Sequence, residues 1–97
     1  TKPFMEGPLY MEVYFYMPIA ISHGIKKREK LKGAYHIFRP DFSNMLKFIE
    51  DVCQGIVFKE DSIICRIKGA KIYDENPRTV VAFQEIVNEK ETKSEQY

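Results

Sequence analysis

The run "PLYMEVYFYMP", from Pro8 to Pro18, constrains the fold more than any other stretch of the chain. Leu9, Met11, Val13, Phe15 and Met17 alternate with Tyr10, Glu12, Tyr14 and Tyr16. A period of two suits a strand and not a helix. Pro18, which has no amide proton to give a ladder, closes it. One face of this strand is apolar and needs a cover. The other carries three tyrosines and calls for a cover of its own, or for something flat packed against it. At 97 residues, 44% hydrophobic and 30% charged, the chain has room for one core and the composition of an ordinary globular domain.

A helix is the second secure element. In "RPDFSNMLKFIEDVCQG", Phe42, Met45, Leu46, Ile49, Val52 and Cys53 recur at helical spacing. Pro40 stops anything before it, Asp41 stands at the N-cap with a carboxylate able to accept first-turn amides, and Gly55 is a natural stop. The segment "SIICRIKGAKIYD" reads as a strand with Ile63, Cys65 and Ile67 inward. Gly69 marks a bulge or a close backbone approach. "DENPR" has turn chemistry and "TVVAFQEIV" returns as a strand, so residues 62–87 are expected to form an antiparallel hairpin. Residues 19–37, with the basic run "KKREKLK", read as a long, mobile, solvated loop. The expected fold is α+β: a small sheet of about three strands, in the order β-loop-α-β-β, with one helix on a face. Residues 1–87 form the single domain and 88–97 a polar, disordered tail. So thin a sheet favours a partner, most simply a second copy.

The net charge is only +1, and the imbalance is local: five basic residues, Lys26, Lys27, Arg28, Lys30 and Lys32, surround one acid, Glu29. Such a run suits a phosphate backbone, and a solvated charge run explains it nearly as well. Cys53 and Cys65 lie in apolar runs and read as buried free thiols, consistent with a reducing cytoplasm. No stretch approaches the length of a membrane span. His23 and His36 lack metal-ligand spacing. Asp41 at a helix mouth and Glu60-Asp61 ahead of a strand are the candidate metal acids, because hard cations take carboxylate oxygens. They can converge only if "QGIVFK" brings helix start and strand start to one edge. On spacing alone the plainer reading, a cap and a solvated turn, is preferred. Lys47 lies one turn beyond Ser43 on the same side. It either steadies a phosphate or pairs with Glu50 or Asp51.

The order of these residues narrows the choice. "RPDFSNMLKFIEDVCQGIVFKEDSII" followed by "YDENPRT" resembles the signature region of the RusA-type Holliday junction resolvases. That family reads approximately K-P-D-x-D-N-L-x-K, then an apolar helix ending D-x-L-N-G, then an aromatic and D-D-S/A-Q-V, with a G-E-x-P-R-T-like turn. The strand and basic stretch upstream are also similar to phage and bacterial members, so the likeness covers roughly residues 6 to 86.

The resemblance implies a homodimeric, Mg²⁺-dependent endonuclease (Mn²⁺ being a possible substitute) that binds four-way DNA junctions and nicks two opposed strands. Asp41 falls on the first catalytic aspartate, Asp61 on the aspartate of the D-D pair, Lys47 on the motif lysine and Asn44 on the motif asparagine. Glu60 stands in for the other acid of the pair, and the basic run becomes the DNA contact. Two departures qualify this. Ser43 replaces the second helix-mouth aspartate, and a neutral hydroxyl is a weak ligand, so metal affinity and cleavage are expected to fall. Members also carry a strand and helix ahead of the segment that begins here, so part of the fold and of the DNA surface is expected to be absent. Two other functions stay open: a non-catalytic junction-binding relative, and a small structural or interaction domain in which the carboxylates are caps.

Overall fold

A computed structural model describes residues 3–87; the tail expected at 88–97 lies outside the described residues. Strand β1 spans Leu9–Pro18, helix α1 Ile25–Leu31 and helix α2 Phe42–Cys53. A single 3-10 turn, Asp61–Ile63, leads into β2 at Ile64–Asp74, and β3 follows at Arg78–Glu85. The fold is α+β, a three-stranded mixed sheet with two helices.

β1 is the centre of the sheet, in the order β2-β1-β3. It pairs parallel with β2 (Leu9 opposite Ile64, Pro18 opposite Asp74) and antiparallel with β3 (Leu9 opposite Glu85, Tyr16 opposite Arg78). The expected 62–87 hairpin is therefore corrected: β2 and β3 are antiparallel but never meet, because β1 lies between them. The physical reason lies in the side chains. β1 alone of the three strands carries buried residues, and the middle place gives both its edges a ladder. Arg66, Lys68 and Lys71 on β2 suit an edge strand, where charge is tolerated. A parallel β1–β2 pair needs a long crossover, which α2 supplies. The wide turn between β2 and β3 is held by Asp74, whose carboxylate accepts from the Asn76 amide at 3.0 Å and from Arg78 at 2.8 Å.

Leu9, Met11, Val13 and Phe15 of β1 are buried, as the alternation predicts. The α2 residues Phe42, Met45, Leu46 and Ile49 pack on them, and Phe42 meets Phe15 edge-on at 5.5 Å between centroids. A second cluster, Leu9, Cys53 and Phe58, closes the other end of the helix. Gly69 is a close approach rather than a bulge, since a Cβ there would meet the Val13 carbonyl oxygen at 2.2 Å and Phe42 at 3.3 Å. The irregularity falls instead between the Leu9–Ile64 and Tyr10–Arg66 pairs. It turns Cys65 outward, so only Cys53 is the buried thiol expected of both.

The loop expected at 19–37 is also corrected. Its basic run forms the two turns of α1, an exposed helix that buries none of its residues. Lys, Arg, Glu and Leu are good helix formers, but seven residues with no apolar stripe leave no periodic signal. After it, the backbone of Gly33–His36 runs along the outer edge of β2, bonding to Lys71 and Tyr73. No helix among the described residues is long and apolar enough to cross a membrane.

Candidate functional site

The direction of α2 decides where the acids stand. Its first residue, Phe42, packs on Phe15 and beside Gly69, while its last, Cys53, packs on Leu9. The helix therefore runs antiparallel to β1 and β2. Asp41 sits level with Gly69 and Lys71, whereas Glu60 and Asp61 precede Ile64 at the opposite end of β2. Six strand residues separate the two levels, which at about 3.3 Å per residue is roughly 20 Å. Among the described residues, no three His, Cys, Asp or Glu side chains gather closely enough to hold a metal ion. The expected convergence of Asp41, Glu60 and Asp61 does not occur within the single chain. The "QGIVFK" connection turns at Gly55, whose φ is 87°, and leaves Glu60 and Asp61 at the helix's C-terminal end.

Each end has its own construction. Asp41 occupies the N-cap of α2, yet its side chain makes no capping hydrogen bond. The capping carboxylate expected from the sequence is thus left for other use. It opens with Arg39, Pro40 and Asn44 on a depression of about 510 Å³. Ser43, Asn44 and Lys47 are exposed on the same helix. Lys47 lies 3.9 Å from Asp51, an exposed pair of the kind that adds little stability. The basic helix α1 follows the C-terminal end of β1 and is at this end of the sheet too. Arg28 is tied back to the Ala20 carbonyl at 3.3 Å. At the other end, buried Phe58, edge-on to Phe83 at 5.6 Å, anchors the segment that carries exposed Glu60 and half-buried Asp61.

Lys71 escaped the sequence reading, and His36 has a setting that its lack of metal-ligand spacing did not show. Lys71 points to the α2 face of β2 and donates from Nζ to the carbonyls of Phe38 and Pro40, the latter at 2.7 Å. It thereby clamps the segment that delivers Asp41. A charged residue on the inward parity of a strand was its signal. His36 packs on Tyr73 at 4.8 Å between centroids with its Nδ1 buried and unpartnered. Burial first, and then the Lys71 charge, hold its pKa below the usual histidine value. Lys71→Met should lower thermal stability by about 1.5 kcal/mol, from loss of charge-assisted hydrogen bonds that are partly exposed. Amide exchange should accelerate around residues 38–42 and stay slow in β1, which hydrogen-exchange mass spectrometry would check.

A family profile described as Endodeoxyribonuclease RusA matches residues 1–84. The chain is 36% identical over 86 residues to the uncharacterized protein YqaN of Bacillus subtilis, covering 84% of this chain and 61% of that one. The chain thus spans less than two thirds of the length of that relative. No solved structure gives a significant match. The matched region takes in α1, both acid-bearing ends of α2 and nearly all of the sheet, so this chain belongs to the RusA endodeoxyribonuclease family.

Proposed function

We propose that the chain is one half of a divalent-metal-dependent endodeoxyribonuclease that nicks four-way DNA junctions, with each active site shared between two protomers. The observation that carries this reading is the placement of Asp41 and Asp61 at opposite ends of α2. One protomer cannot offer both to one cation, but a two-fold axis across the helix would exchange the ends. The exposed side of α2 supports such an axis. Phe48, Val52 and, just past the helix, Ile56 follow one another at intervals of four and are 66%, 48% and 73% exposed. Two such helices packed antiparallel would bury these side chains and bring Asp41 of each toward the Asp61 end of its partner. A C₂ dimer also matches the two equivalent strands of a four-way junction.

The donor set suits a hard cation such as Mg²⁺ or Mn²⁺, being carboxylates with a hydroxyl and an amide oxygen nearby and no sulfur or imidazole. Asp41 and Asp61 would hold it, with Glu60 beside them. Bound there, the metal would polarise a phosphodiester oxygen and acidify the attacking water. Lys47 would neutralise charge developing on the scissile phosphate. Asn44 would orient that group or the serine beside it. The basic residues of α1 would hold the flanking phosphates.

Ser43 favours a second reading, a relative that binds junctions and cleaves them poorly. A cleavage assay on a synthetic four-way junction with Mg²⁺ or Mn²⁺ separates the two. Restoring the acid should be visible in the same assay: Ser43→Asp should tighten metal binding and raise nicking about ten-fold. No change in either would favour the non-catalytic reading. DNA affinity should fall steeply with salt. Neutralising Lys26, Lys27 and Arg28 together should flatten the log–log slope by about 0.9 per lost phosphate contact, without altering assembly.

A further inference from the structure

The face of the sheet away from α2 has no part in the site just described, although it carries the tyrosines that the alternation of β1 sets apart. Tyr10, Tyr14 and Tyr16 lie on it, half-buried, in register with Arg66, Ala70 and Ile72 of β2 and with Gln84, Val80 and Arg78 of β3. Neither helix covers it: α2 packs on the opposite face, and α1 buries nothing. The cations on this face are not scattered. The Arg66 guanidinium lies 5.0 Å from the Tyr10 ring centroid and the Arg78 guanidinium 3.8 Å from that of Tyr16. They stand at diagonal corners, because Tyr10 and Tyr16 are six residues apart, or about 20 Å along the strand. Lys68 lies between them, opposite Glu12.

Tyr14 differs from the other two. No guanidinium lies over its ring, and it is flanked by the small Ala70 and by Val80, which is 45% exposed. A shallow hollow of about 260 Å³ lies toward the Tyr10 end of the face, lined by Tyr10, Glu12, Ala82 and Gln84 with Phe83. The acids of this face are already engaged. Glu12 accepts the Tyr14 hydroxyl at 3.2 Å, and Asp74 binds Arg78 at 2.8 Å. Arg66 and Lys68 make no ion pair among the described residues.

We propose that this face is a track for an unpaired DNA strand, on which a base stacks against Tyr14 while Arg66 and Lys68 hold the phosphates. With Arg78 paired to Asp74, Arg66 and Lys68 against Glu12 leave the face with one net positive charge, the sign that attracts a polyanion. The half-buried Tyr14 ring, 6.5 Å from that of Tyr16, lies between cations, and aromatic rings among cations are how flat protein surfaces bind single strands without reading their sequence. A stacked guanidinium keeps its edge donors pointing outward for phosphate oxygens. The inference rests on the DNA-cleaving reading for the choice of DNA as ligand. It adds a role for the tyrosines: holding a strand freed from pairing at a branch point.

The test is binding of a fluorescently labelled oligothymidylate to the full chain in metal-free buffer, which needs no cleavage. Tyr14→Leu should weaken binding about ten-fold, as loss of one base–aromatic stack does, while Tyr14→Phe should keep it. Arg66→Gln with Lys68→Gln should reduce the salt slope by about 1.4, the value for two single-strand contacts. Equal affinity of the Leu and Phe variants, both folded by circular dichroism, would overturn the proposal. So would a Tyr14→Leu protein whose sedimentation shifts from dimer to monomer, because the face would then be a protein interface. Junction nicking measured in parallel keeps the two readings apart, since a chain that never nicks can still bind the oligonucleotide through Tyr14.

Discussion

Asp41→Asn and Asp61→Asn should each abolish junction nicking, and mixing the two inactive proteins should restore it. The expectation follows from placing the two acids at opposite ends of α2. In a mixed dimer one site would contain both substitutions, and the other would contain neither. With random exchange half of the dimers are mixed and each has one intact site, so recovery should reach about a quarter of the native rate. The product should also change: a single intact site nicks one strand, so nicked junctions should accumulate in place of resolved duplexes. Each variant alone should still bind the junction, because the acids repel phosphate and the proposed contacts come from α1. A mixture as inactive as its components would show that the acids of one site come from one protomer, and the shared-site reading would fall.

The second large effect concerns assembly. Phe48→Glu combined with Val52→Glu should convert the proposed dimer to a monomer and reduce nicking to background. Both side chains are exposed in the single chain, so the substitutions leave its core intact. Their cost appears only where two copies of α2 meet, as four carboxylates forced into one apolar contact. Sedimentation velocity would report the change in mass, and the far-ultraviolet circular dichroism of the two proteins should superimpose. A double variant that remains dimeric and active would place the two-fold axis elsewhere on the molecule. Neither outcome depends on Ser43, so the test also holds for a chain that cleaves slowly.

Much of this architecture was legible in the residues. The alternation from Leu9 to Met17 gave the first strand and its apolar face. The stripe from Phe42 to Cys53 gave α2, with Gly55 ending it at a positive φ. Local periodicity reports such elements because each is set by which side chains one face must bury. The motif order around Asp41, Asn44, Lys47 and Asp61 was likewise enough to point to the family, and no single residue among them would have been.

What could not be read was which strand pairs with which, and where the ends of α2 fall. "DENPR" has the chemistry of a hairpin turn, but turn chemistry says only that the chain reverses. It does not say that the two arms touch. β1 entered between them because it is the strand that carries the buried residues, and that competition is settled over the whole sheet. The same holds for the acids. Asp41 and Asp61 are twenty residues apart and look like neighbours in a motif, yet a helix antiparallel to its strands carries them to opposite ends of the domain. Asp41 looked like a cap, and its carboxylate makes no capping bond. Lys71 was one more lysine on an edge strand until the segment from Phe38 to Pro40 folded across it. Sequence determined the elements and the residues that carry chemistry. Tertiary structure alone decided the distances between those residues, because strand pairing and helix direction depend on contacts far apart in the chain.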